Sequence, residues 1–172
     1  NNAQVLLMTQ GGAYFNSADQ DIKSAAGIRC PGSVVVSGSE LSVLSSGLAG
    51  KGINCDGAFT VTDSQVKVKA TGATFTYNSK SSSAKAITAE GNVTINSGKV
   101  WAMALGGDGC EGVESKMSMT INDGEVMVSA SDNGLNASSG IVINGGAVYG
   151  FSAENDALDS NTTFTLNGGT VV

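Results

Sequence analysis

Six times along this chain a small residue precedes an apolar one, and twelve positions after that small residue comes another. The anchors are Gly27-Ile28, Gly52-Ile53, Ala86-Ile87, Gly112-Val113, Gly134-Leu135 and Ala157-Leu158. The matching turn residues are Ser39, Ser64, Gly98, Gly124, Gly146 and Gly169. Successive anchors lie 25, 34, 26, 22 and 23 residues apart, yet the offset inside each unit never changes. A fixed offset within units of variable length marks a solenoid whose loops tolerate insertion on one side. An alternating apolar segment begins seven positions past each anchor, as at Val34, Phe59, Val93 and Met119, and another follows each turn. With the anchor segment, that makes three short strands per repeat. The expected fold is all-β: a right-handed parallel β-helix of about seven coils, forming one domain over residues 1–172, with coils ~4.8 Å apart. The hand follows from the general chirality of parallel crossovers.

Composition supports strands and narrows the chemistry. Charged residues make up 14%, Gly numbers 24 and Pro one, and no window keeps a helical period. The net charge is -6, with no histidine, so there is neither a basic stripe for nucleic acid nor the commonest general base. No apolar run is long enough to span a membrane, and no signal peptide pattern is present. The first coil reads as incomplete, with Gly12 as its turn residue, Val5-Leu6-Leu7 before it and Tyr14-Phe15 after. The final Val171-Val172 leaves strand edges that a cap or further coils would cover.

Stacking turns repeat positions into columns. Two residues before the turn stand Gln10, Ser37, Thr62, Asn96, Asn122, Asn144 and Asn167, which suits an asparagine ladder at a tight turn. Cys30 and Cys55 share a column, close enough for a disulfide, though buried free thiols are the favoured expectation. The position before each anchor runs Ala26, Lys51, Lys85, Glu111, Asn133, Asp156, and two after it runs Arg29, Asn54, Thr88, Glu114, Asn136, Asp159. Both columns become oxygen-rich toward the C-terminus, with Asp108, Asp132 and Glu154 nearby in sequence. Stacked carboxylates repel unless a cation compensates, and Ca²⁺ suits such ligands; a solvated acidic face is the alternative. Fifteen past the anchor an outward column reads Ser42, Lys67, Trp101, Met127, Tyr149, with Phe15 expected in the equivalent place on the first coil. Exposed rings on a flat sheet can stack on sugars, or can pack under a neighbouring domain. The longest repeat carries an insertion over residues 70–83, with Phe75 and Tyr77, of the length at which loops are often functional.

Three runs carry a family resemblance: Gly50-Lys51-Gly52-Ile53-Asn54-Cys55-Asp56-Gly57, Glu111-Gly112-Val113-Glu114-Ser115-Lys116 and Asn155-Asp156-Ala157-Leu158-Asp159-Ser160. Each precedes a strand and a turn, the later turns being Asn-(Gly/Asp/Ser)-Gly, while the first departs as Thr62-Asp63-Ser64. Together they resemble a bacterial carbohydrate-binding β-helix domain family, over about residues 13–172. The resemblance implies a pectate-lyase-type right-handed parallel β-helix that contains calcium and binds plant-type or acidic polysaccharides. It also implies export, often as a surface lipoprotein of polysaccharide-degrading bacteria. By motif, Glu111, Glu114, Asp156 and Asp159 become calcium candidates, with Asn133 and Asn136 in the same two columns.

The leading expectation is therefore a non-catalytic polysaccharide-binding module, secreted or at the cell surface, contacting sugar through Trp101, Tyr149, Phe75, Tyr77, Lys51 and Lys85. A calcium-dependent polysaccharide lyase is one alternative, with Lys51 or Lys85 as base beside Glu111. Two stacked lysines adjoining a glutamate read more simply as a surface ion pair of little weight. A structural or adhesive solenoid with a protein partner is the other.

Overall fold

In the computed structural model, which describes residues 2–172, the described chain forms strands and turns and no helix. Three parallel sheets wrap one core and make a β-solenoid of about six turns. The anchor segments form one sheet of six strands, from Ala26–Cys30 to Leu158–Ser160. The strands just after the anchors form a middle sheet of six, from Val34–Ser37 to Phe164–Leu166. The strands after the turns form a long sheet of seven, from Gln4–Thr9 to Thr170–Val171. The register is the one that the twelve-residue offset implies: Ile28, Ile53, Ile87, Val113, Leu135 and Leu158 pair in sequence down the anchor sheet.

Alternation aims one face of each sheet inward. Ile53, Ile87, Val113 and Leu135 meet Phe59, Ile95, Met119 and Ile141 from the middle sheet and Val66, Val100, Val126 and Val148 from the long one. All of these side chains are fully buried. The turn between the middle and long sheets needs a left-handed residue, and the coils supply it in two ways. Gly98, Gly124, Gly146 and Gly169 have positive φ at the turn position itself, where a Cβ would run into the backbone of the preceding coil's turn. In the two coils whose turn residue is serine, the left-handed residue sits one place earlier, at Gly38 and Asp63. That one-place shift is why the Thr62-Asp63-Ser64 turn departs from the later pattern. Beside the corner the amide ladder forms: Asn96 donates to Thr62 Oγ1 at 3.0 Å, and Asn122, Asn144 and Asn167 each donate to the preceding asparagine at 2.8–2.9 Å.

The first coil differs from expectation. Gln4–Thr9 is not the strand before a turn at Gly12; it lies beside Glu40–Ser45 as the first member of the long sheet. Six turns and this extra strand, rather than seven coils, make up the solenoid. Tyr14–Asn16 instead turns back on Asp21–Lys23 as a hairpin. The insertion folds the same way, Phe75–Tyr77 against Lys80–Ser82. The two hairpins touch: the Phe15 and Tyr77 rings are 4.6 Å apart, and Ser24 and Ser82 hydroxyls 3.0 Å. Cys30 and Cys55 are register partners and both are free thiols; burial is foremost in pushing the Cys55 thiol up.

Candidate functional site

Two outward surfaces hold the residues that the sequence singles out, and they have opposite chemistry. On the long sheet, Ser42, Lys67, Trp101, Met127 and Tyr149 stand side by side on successive strands. Leu6, not Phe15, is the first member of that row, because Gln4–Thr9 occupies the edge of the sheet. Two places further along each strand a second outward row runs Met8, Leu44, Lys69, Met103, Ser129 and Phe151. Together the rows make an apolar strip across the sheet. Trp101, Met103, Met127, Tyr149, Phe151 and Val172 line a groove of about 590 Å³. A smaller groove of about 290 Å³ adjoins it, where Trp101 and Met103 meet Leu6, Leu44, Lys67 and Lys69.

Trp101 is held in place at the junction. Its Nε1–H points to Met127 Sδ at 3.0 Å, and the Lys67 ammonium lies 4.5 Å from the ring centroid. Trp101 and Tyr149 are two strand spacings apart, ~9.6 Å. Phe151 and Met103 were not among the expected contacts. The signal was available: each follows its partner in the outward column by two residues on the same strand, so the pleat puts both on one face.

The second surface belongs to the anchor sheet, where the charge columns lie. Lys51, Lys85 and Glu111 are successive partners in one column, and Thr88, Glu114, Asn136 and Asp159 in the other. The expected surface ion pair is instead a buried network: Glu111 is 7% and Glu114 4% exposed. Lys85 lies between both carboxylates, 2.5 Å from Glu111 Oε2 and 3.1 Å from Glu114 Oε1. Lys116 also pairs with Glu114, Thr88 Oγ1 donates to Glu114 Oε2 at 2.8 Å, and Asn136 donates to Glu111 Oε1 at 3.1 Å. Burial pushes the Glu114 carboxyl up, but the Lys85 charge and the Lys116 hydrogen bond outweigh it and hold the group at about 2. Burial dominates at Glu111, whose carboxyl lies above its usual range.

Lys51 is different. It is 8% exposed, and its ammonium donates to Ser82 Oγ at 3.4 Å and to the Ser83 carbonyl, both at the end of the inserted hairpin. The ion pairs of this network all run to Lys85 and Lys116. Burial, then the neighbouring Lys85 charge, pull Lys51 down to about 8. A polar cavity of about 500 Å³ opens over this network, and no residue lines both it and the apolar grooves.

Of the remaining expected positions, the two aromatic ones fall outside both surfaces and the two aspartates lie at the far end of the anchor sheet. Phe75 and Tyr77 are on the hairpin, with Tyr77 against Phe15, and line neither groove of the long sheet. Asp156 and Asp159 lie on the last turn, where Asn133 Nδ2 donates to Asp159 at 3.1 Å and Asn133 Oδ1 accepts from the Asp156 amide. Among the described residues no group of three or more His, Cys, Asp or Glu side chains is arranged to hold a metal ion. At Glu111 and Glu114 the Lys85 and Lys116 ammonium groups lie against the carboxylates.

A family model described as carbohydrate-binding domain-containing protein matches residues 40–134 and 71–155, which together span 40–155 of the 172 residues. No curated protein and no solved structure matches the chain.

Proposed function

The chain belongs to the carbohydrate-binding domain-containing family, and from that premise we propose that it is a non-catalytic module that holds a polysaccharide on the apolar strip of its long sheet. The observation that carries this is the outward row Trp101–Met127–Tyr149 with Phe151 beside it. Sugar rings present apolar C–H faces and polar edges. A ring stacked on Trp101 or Tyr149 buries its face while its hydroxyls stay in water or reach Lys67, Lys69 and Ser129 at the margins. The solenoid supplies the rigidity: seven backbone-paired strands behind the rings fix their spacing before the ligand arrives, which lowers the ordering cost of binding.

Calcium belongs to this proposal at Asp156 and Asp159, the expected carboxylate ligands without a lysine partner among the described residues, with the expected Asn133 beside them. Two carboxylates fall short of the roughly six to eight oxygens calcium takes, and sugar binding on the long sheet does not depend on it. Display outside a bacterial cell belongs to the proposal through the resemblance alone; among the described residues no helix is long and apolar enough to cross a membrane.

Titration of Trp101→Ala and Tyr149→Ala with a soluble polysaccharide that binds the parent protein tests the site. Each substitution is expected to weaken binding by about 2 kcal/mol, roughly 30-fold in Kd. Full affinity in both variants would move the ligand off this face.

A further inference from the structure

We propose that the polar cavity over the anchor sheet is a second, separate ligand site, in which Lys51 receives the carboxylate of a small hydroxyl-bearing acid. Among the described residues Lys51 is a buried cation without a carboxylate partner in the ion-pair network. That is an unusual state, because a buried charge needs a counter-charge or else loses its proton. Its two contacts, Ser82 Oγ and the Ser83 carbonyl, satisfy donors but neutralise nothing. Every other charge facing it is already engaged. Lys85 spends its charge on Glu111 and Glu114, and Lys116 on Glu114. The three lysines and two glutamates lining the cavity leave one positive charge over, which matches one carboxylate.

The rest of the lining names the body of the ligand. Ser81, Ser82, Ser138, Asn136 and Asn161 offer hydroxyls and amides and no ring. Such a wall suits a compact molecule with several hydroxyls, of the class of a sugar acid, rather than an aliphatic or aromatic acid. The cavity volume, about 500 Å³, accommodates one such unit. The inserted hairpin carries two of those serines, which gives the longest repeat a purpose that its sequence alone does not show. The lowered pKa of Lys51 agrees: groups packed around it are Lys85, Glu111, Glu114 and Cys110, and burial outweighs the two carboxylates until a further anion arrives.

The site is independent of the apolar strip, so the two stand or fall separately. Calorimetric titration with glucuronate, and with glucose as the neutral match, is expected to show one glucuronate per chain and at least tenfold weaker binding of glucose. Lys51→Met should abolish glucuronate binding while keeping the strand circular dichroism of the parent, and Lys51→Arg should restore part of it. Trp101→Ala should leave it unchanged. Affinity should fall as pH rises past about 8, where Lys51 loses its proton. Equal binding of glucose and glucuronate, no binding of either, or retention by a folded Lys51→Met variant would each overturn the proposal.

Discussion

The long sheet and the anchor sheet share a scaffold and a repeat, yet they spend their outward faces in opposite ways. The long sheet leaves Met127, Tyr149 and Phe151 exposed and Trp101 and Met103 half-buried, with few polar partners. The anchor sheet withdraws Lys85, Glu111 and Glu114 from water and saturates them with one another. An exposed apolar row adds little to the stability of its own sheet and is explained by something that covers it. A buried charge network has the reverse character: it is tied to the fold, and removing one partner strands the others. Residue type alone therefore misleads here. Lys85, Lys116, Glu111 and Glu114 tie neighbouring coils together, and the apolar row is the face proposed to bind.

Lys85→Met should break this contrast most severely. It leaves Glu111 and Glu114 close together without their shared cation, at an expected cost of about 3–5 kcal/mol at pH 7. Urea unfolding at pH 7 and pH 5 checks this, since protonation of Glu111, whose carboxyl already lies high, should recover part of the loss at the lower pH. A loss below about 1 kcal/mol would mean that the network is not structural.

Lys51→Met should do the opposite. The folded pKa of Lys51, about 8, is below the 10.5 of an ordinary lysine, so the unfolded state holds the proton more tightly. The parent protein should gain stability as pH rises from about 8 to 10.5, by at most about 3 kcal/mol, and the variant should lose that slope and be the more stable at pH 7. Thermal melts across that range read both effects.

On the other face the effects belong to binding. Trp101→Ala should weaken polysaccharide binding by about 2 kcal/mol while moving unfolding free energy by roughly 0.5 kcal/mol. Smallest of all is Tyr77→Ala, which should change polysaccharide affinity by less than about 0.5 kcal/mol, because its ring packs on Phe15 away from the strip. A larger loss would extend the binding face onto the hairpin.

How much of this was legible in the sequence depended on whether the repeat governed it. The twelve-residue offset placed every full coil in register, from Gly27 to Gly169, and brought Trp101, Met127 and Tyr149 into one row. It failed at Gly12, because the first coil lacks the repeat's other parts and Gln4–Thr9 could be placed only by its pairing with Glu40–Ser45. Columns fix which residues are neighbours, but not depth. Lys85 and Glu111 were visible as partners, whereas their burial comes from the hairpin, Lys116 and the flanking coils closing around them. Phe151 and Met103 were missed because only one residue per strand was followed outward.

Retention of the purified protein on immobilised cellulose and polygalacturonate, first with calcium and then with chelator, tests polysaccharide binding by the long sheet most directly. Parent protein should be retained on at least one of the two and stay bound through the chelator wash, and a Trp101→Ala/Tyr149→Ala double variant should pass through. Elution of the parent by chelator, or retention of the double variant, would contradict a calcium-independent site on the apolar strip.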